Sequence, residues 1–341
     1  MSGFDRNMAR LLLEICRFTY AAGFADAANA NDRNDALAWI RSHAQLQANE
    51  PAILNGSKTS VACVATLPDR NIVSYMGTKT QFNTPANARK SIADWEENLD
   101  LLLVPFSMKS EQLGIDGPAG VGARDLGGKV HSGFLSELQA VQALVVRELL
   151  KNGGRNRPVI VTGHSQGGAE AALATRTLLA GGFNVECTYT FAAPRPGNAA
   201  FVATIPDDMP VHRIEFGDDI VPHLPPAIIN KRAKNVVDAL HLFPALSGKA
   251  GKFLDLLGRA NSKAAFTGLG KLCYGSNKTR ALRIDLDANE EDALFYDRVW
   301  SIARHPERWA EHHHLAGTSE EVGRGIKGNY TALVSNFTLV K

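Results

Sequence analysis

Ser165 lies in Gly163-His164-Ser165-Gln166-Gly167, a spacing that can turn a serine hydroxyl into a nucleophile. The motif acts only where a strand runs into a helix through a tight turn, which lifts the hydroxyl above the sheet. Glycine is required on both sides because a side chain there would strike the neighbouring strand or helix. Serine alone is a poor nucleophile and needs a base, with a further group to orient that base. In a strand–turn–helix setting the partners follow in the order acid, then histidine. Downstream, Val211-His212-Arg213-Ile214-Glu215-Phe216 ends in Gly217-Asp218-Asp219, so Asp218 and Asp219 are both eligible acids at the carboxyl end of a strand. The later histidines are His223, His241, His305 and the triplet His312-His313-His314. His223 follows the acid too closely in a proline-rich turn, and His241 lies in an irregular segment. The triplet comes late enough to close the order. A metal site is disfavoured: adjacent histidines do not converge on one ion without an unusual backbone, and no other ligand cluster accompanies them. The chemistry that remains is acyl transfer to water, which needs no metal or organic cofactor.

The elements required to hold such a site can be read around it. Residues 158–162 are continuously apolar, as in a strand buried on both faces. Residues 167–180 form an Ala-rich helix that stops at Gly181-Gly182. Further strands at 185–191 and 211–216 give a strand–helix alternation, hence an α/β fold with a largely parallel sheet. Upstream, helical segments are expected at roughly 4–25 and 33–48, and strands at 59–67 and 71–76 around the Pro68-Asp69 turn. A polar loop over 77–98 precedes an apolar stretch at 101–106, and a Gly-rich connection spans 114–128. An amphipathic helix follows at 133–151, with Leu138, Val141, Leu144, Val145 and Leu149 at helical spacing. Residues 227–268 break the rhythm and read as a helical excursion above the sheet, and 271–274 with 281–286 read as a hairpin. Residues 1–341 are therefore expected to form a single domain, with N-terminal helices in 1–50 and an insertion at about 227–268.

The bulk composition excludes several classes. Of 341 residues 45% are hydrophobic and 21% charged, and the net charge of +2 is interspersed with no basic stripe for nucleic acid. Cys16, Cys63, Cys187 and Cys273 lack CxxC spacing and are expected as buried free thiols, which favours a reducing compartment. Charges interrupt residues 1–25, unlike a signal peptide, and no run approaches the ~18 apolar residues of a spanning helix. A cytoplasmic location is the expectation on these grounds, with secretion as the alternative.

With these residues assembled, the chain resembles the class 3 lipase family, which contains the secreted fungal lipases and many bacterial relatives. Four linked segments carry the resemblance. They are Val130-His131-Ser132-Gly133-Phe134-Leu135 before the nucleophile strand, the elbow itself, Thr190-Phe191-Ala192-Ala193-Pro194-Arg195-Pro196-Gly197-Asn198 after the nucleophile helix, and Asp219-Ile220-Val221-Pro222-His223-Leu224-Pro225-Pro226. The resemblance implies an α/β-hydrolase fold with a helical lid, and it selects Asp219 as the acid. Ile72-Val73-Ser74-Tyr75-Met76-Gly77-Thr78 is similar to the family's oxyanion loop, which implies that Thr78 supplies a backbone N–H, assisted by its hydroxyl, and that Gln166 supplies the second N–H. Met76 stands where the family usually carries an arginine that anchors this loop. Ser91-Ile92-Ala93-Asp94-Trp95 resembles the lid helix. At the histidine the family pattern favours His314 before Leu315, then His313, with His312 open. The aromatic that usually follows within a few residues is here the distant Tyr330. The implied function is a lipase acting on acylglycerol esters, with a lipid–water interface as its setting. An esterase of soluble esters, of feruloyl esterase or phospholipase A1 type, is the alternative. A non-catalytic lipase-like binding module is a further one, although a decayed site would usually have lost one of these residues.

Overall fold

The structure is a computed structural model that describes residues 3–23, 30–48, 50–78, 102–115, 122–225, 266–304, 312–313, 315 and 330–340. The expected lid helix at 91–95, most of the 227–268 insertion and His314 lie outside the described residues.

Helices α1 (Arg6–Gly23) and α2 (Ala30–His43) lead into strands β1 (Ala52–Asn55), β2 (Val61–Thr66) and β3 (Asn71–Tyr75). A separate antiparallel pair follows, β4 (Leu103–Met108) and β5 (Arg124–His131). The chain then alternates through α3 (Ser132–Lys151), β6 (Val159–His164), α4 (Gln166–Ala180), β7 (Val185–Phe191) and β8 (Val211–Phe216). It continues with β9 (Lys271–Ser276), β10 (Ala281–Leu286), α5 (Ala288–Arg304), α6 (Tyr330–Asn336) and β11 (Thr338–Val340). Among the described residues one sheet has the strand order β1-β2-β3-β6-β7-β8-β9-β10-β11. Its central pairs, β3 with β6, β6 with β7, β7 with β8 and β8 with β9, are parallel. This doubly covered sheet, entered by a strand–elbow–helix unit, is an α/β-hydrolase fold.

The period of two along each strand explains how the sheet is covered on both faces. Cys63, Ala65, Ile72 and Ile160 point to one side, where they pack with Leu12, Ile15, Cys16 and Phe18 of α1. Their neighbours Ala62, Val64, Val73, Val159 and Val161 point to the other, against Leu138, Val141 and Val145 of α3 and Ala171 and Leu178 of α4. Each buried Leu or Ile contributes about 1.5–3 kcal/mol, so the two faces clamp the strands that end at the site.

One expected loop proves to be a strand. Gly127 and Gly128 lie inside β5 at φ of 88° and 74°, and a side chain on Gly128 would strike the backbone of Phe201. The β4–β5 register also shifts between Pro105 and Ser107. These glycines permit a close approach within an irregular strand pair, which in sequence looks like a flexible connection. Elsewhere, the second helix begins and ends earlier than expected, at Ala30–His43, and β1, α5, α6 and β11 add to the expected elements. Among the described residues, no helix is long and apolar enough to cross a membrane. All four cysteines are free and buried.

Candidate active site

The nucleophile elbow is forced by local sterics. Strand β6 is buried throughout and stops at His164. Ser165 then takes φ 57° and ψ −133°, a left-handed conformation costly for a residue with a side chain. The turn closes because no side chain lies in its way: a Cβ on Gly163 would collide with the Gly167 carbonyl, and one on Gly167 with the Tyr75 carbonyl. Gly168 passes as closely, its absent Cβ falling 2.6 Å from that of Ala193. Ser165 is left 7% exposed at the carboxyl end of the parallel strands.

Two of the expected partners meet it there. The Oγ of Ser165 lies 2.9 Å from Nε2 of His313. The other ring nitrogen, Nδ1, lies 3.0 and 3.1 Å from the two carboxylate oxygens of Asp219. His313 and Asp219 are both buried. Asp219 also accepts from the Val221 N–H (3.0 Å) and from the Tyr330 hydroxyl (2.7 Å), so buried donors replace water around its carboxylate. A carboxylate against Nδ1 places the proton there and leaves Nε2 bare, facing the serine hydroxyl. Burial pushes the Tyr330 phenol well above its ordinary value, so that group stays a donor.

Among the described residues, the remaining candidates Asp218, His312 and His223 go elsewhere. The carboxylate of Asp218 accepts from the Ser301 hydroxyl (2.7 Å), and the Asp218 N–H donates to Nδ1 of His312 (2.7 Å). His312 thus ties the segment carrying His313 to the loop carrying Asp219. Nε2 of His223 faces the Arg298 guanidinium at 2.5 Å, and burial beside that cation holds the imidazole well below its ordinary value, neutral and accepting. Arg298 also donates to Glu215 (2.6 Å) and to the Gly217 carbonyl (3.0 Å), clamping α5 onto the end of β8.

Thr78 follows β3 and lies beside the elbow, while Gln166 opens α4, where backbone N–H groups have no intrahelical acceptor. The single hydroxyl proton of Thr78 is directed at the Gln166 side-chain oxygen (2.6 Å), which differs from the expected assistance to an oxyanion. The Gln166 amide in turn donates to Glu170 (2.9 Å), a carboxyl that burial pushes well above its ordinary value. Met76, standing where an anchoring arginine is usual, is buried with its sulfur against Gly23 at the end of α1. The loop carrying Thr78 is therefore anchored by apolar packing on the N-terminal helix.

Three residues that the sequence did not single out as contributors stand out: Tyr330, Ser301 and Arg298. Tyr330 had a signal, as the aromatic expected after the histidine, but its distance along the chain concealed the contact.

The family described as Lipase (class 3) matches residues 86–229. A secreted mono- and diacylglycerol lipase of Fusarium solani is 36% identical over 106 residues, 30% of this chain and 32% of its own. A lipase of Rhizomucor miehei is 38% identical over 108 residues, 30% of each chain. The matches thus span about a third of the length of these curated relatives. The solved triacylglyceride lipase of Rhizomucor miehei superposes with a TM-score of 0.49 at 21% identity, covering 86% of this chain and 92% of its own. By this family match and these shared segments, the chain is similar to the class 3 lipase family.

Proposed function

We propose that the chain is a serine-dependent carboxylic-ester hydrolase, and within that class a lipase that cleaves acylglycerol esters. The observation that carries the reading is the continuous line of contacts from Ser165 Oγ through the His313 imidazole to Asp219. His313 removes the serine proton as Oγ attacks the ester carbonyl, and Asp219 holds the tautomer and stabilises the imidazolium that forms. The N–H groups of Thr78 and Gln166 stabilise the oxyanion; losing one such donor typically costs about 10²–10³ in turnover. The imidazolium then protonates the departing alcohol. Water, deprotonated by the same ring, cleaves the acyl-enzyme to release the acid and restore Ser165. The named activities of the fungal relatives favour acylglycerols as the substrate class.

Ser165→Ala is expected to lower hydrolysis of a p-nitrophenyl ester on the order of 10⁶-fold with the fold intact, since removing the nucleophile disables the whole unit. Retained turnover in the folded variant would overturn the assignment. The substrate class is tested by a chain-length series of p-nitrophenyl esters alongside emulsified triolein. A lipase rises sharply in rate as substrate passes from dissolved to emulsified. A rate that tracks dissolved substrate alone would identify an esterase of soluble esters instead.

A further inference from the structure

The hydroxyl of Tyr20, near the end of α1, sits at a junction of the site that the proposed chemistry does not use. It lies 3.2 Å from Nδ1 of His164, 3.3 Å from the His164 carbonyl, and directly against the backbone of Gly77, where any side chain would strike it. Nε2 of the same imidazole lies 2.9 Å from the backbone carbonyl of His313. A carbonyl only accepts, so Nε2 carries a proton and donates it to that carbonyl. The Tyr20 hydroxyl, within hydrogen-bond reach of both Nδ1 and the His164 carbonyl, steadies the ring that holds His313. Burial pushes the Tyr20 phenol far above its ordinary value, so the donor persists at any working pH. The His164 and His313 rings are themselves 4.9 Å apart, in direct packing contact.

We propose that Tyr20 and His164 form a positioning relay: Tyr20 steadies the His164 ring, and His164 holds the His313 backbone so that its imidazole meets Ser165. The proposal rests on the hydrolase reading above and extends it to two residues that touch no reacting atom. The physical need is clear from the layout. His313 lies 148 residues from Ser165 in sequence. Its ring must nevertheless keep hydrogen-bond geometry at both nitrogens. His164 is covalently next to the nucleophile, so a bond from its ring to the His313 carbonyl ties base to nucleophile directly. Because Tyr20 also abuts Gly77, the residue before Thr78, the same phenol references the oxyanion loop to that pair. The N-terminal helix thus sets the spacing of three parts of the site.

The test uses the full chain and a dissolved p-nitrophenyl ester, with a phosphonate ester to titrate reactive serine and thermal melting to report the fold. His164→Leu removes the donor and is expected to lower kcat about 10- to 100-fold at unchanged KM, the scale of a slight misplacement of a catalytic group. His164→Gln places an amide N–H where Nε2 stood and is expected to recover most of that loss. Tyr20→Phe should lower kcat about fivefold, the scale of one hydrogen bond, again with KM unchanged. A folded His164→Leu with wild-type kcat, or a His164→Gln as impaired as His164→Leu, overturns the relay. Should His164→Leu not fold, Tyr20→Phe decides, and wild-type kcat in that variant overturns it. A wild-type chain that neither turns over ester nor reacts with the phosphonate overturns the hydrolase reading and the relay with it. An active wild type with indifferent variants overturns the relay alone.

Discussion

Asp219 shows how much of this site depends on residues that carry no chemistry of their own. Its carboxylate accepts from the His313 ring, the Val221 N–H and the Tyr330 hydroxyl, and each of these donors is itself buried. Tyr330→Phe deletes one donor while preserving the ring that packs against Phe216 and Phe191. A hydrogen bond to a charged group is worth about 1.5–3 kcal/mol, so kcat on a dissolved ester should fall about tenfold or more at constant KM. Steady-state kinetics check this; an unchanged kcat would mean that the other two donors suffice to orient the carboxylate. The elbow was legible because its glycines have steric reasons attached, whereas spacing left Asp218 and Asp219 both open and only the family resemblance pointed to Asp219. The histidine was less legible. Three identical side chains in a row differ only in which way the backbone turns them, and that direction is set by contacts made elsewhere. His312 faces the Asp218 amide, so the next residue, His313, is the one presented to Asp219 and Ser165. Tyr330 was hidden for a related reason, since 16 residues separate it from His314 in sequence.

Elements were readable where burial imposed a single period. The all-apolar β6 and the Ala-rich α4 follow directly from close packing on both faces of the sheet. Gly-containing β5 was not readable, because glycines that permit a close approach look like glycines that permit a loop. Helix α5 was missed although a signal was present: Asp287 and Glu290 form a reciprocal capping box, each side chain bonding the other's backbone N–H (2.9 and 3.0 Å). That cap starts the helix whose Arg298 and Ser301 brace the loop carrying Asp219. The elbow gives a prediction at this scale. Gly167→Ala adds one methyl against the Tyr75 carbonyl and should push β3 from α4, costing about 1–3 kcal/mol of stability along with most of the activity. Gly122→Ala is the control, since nothing lies within 4 Å of the added Cβ. Urea denaturation of the two variants should separate them clearly; equal midpoints would show that the elbow tolerates a wider turn.

Among the described residues, two of the four buried carboxylates have arginines on either side. Glu14 lies between Arg10 and Arg17, and Glu215 between Arg213 and Arg298. Glu170 differs: it is buried in α4, where the Gln166 amide donates to its carboxyl. Desolvation without a compensating cation favours the neutral acid, which raises its pKa well above the ordinary 4.5. The consequence for stability has a definite sign. Between the unfolded value near 4.5 and the raised folded value, the folded chain keeps a proton that the unfolded chain has released. Stability is therefore fullest below the unfolded value and declines as pH rises through that window, with a slope of up to about 1.4 kcal/mol per pH unit from this one group. Glu170→Gln retains an acceptor for Gln166 and has no proton to lose. Its stability relative to the parent should thus be lowest near pH 4 and should climb steadily towards neutrality. Urea denaturation at half-unit steps from pH 4 to 8 measures the difference directly. Parallel curves for parent and variant would mean that Glu170 ionises in the folded protein as it does in water, so that burial in α4 does not hold its proton.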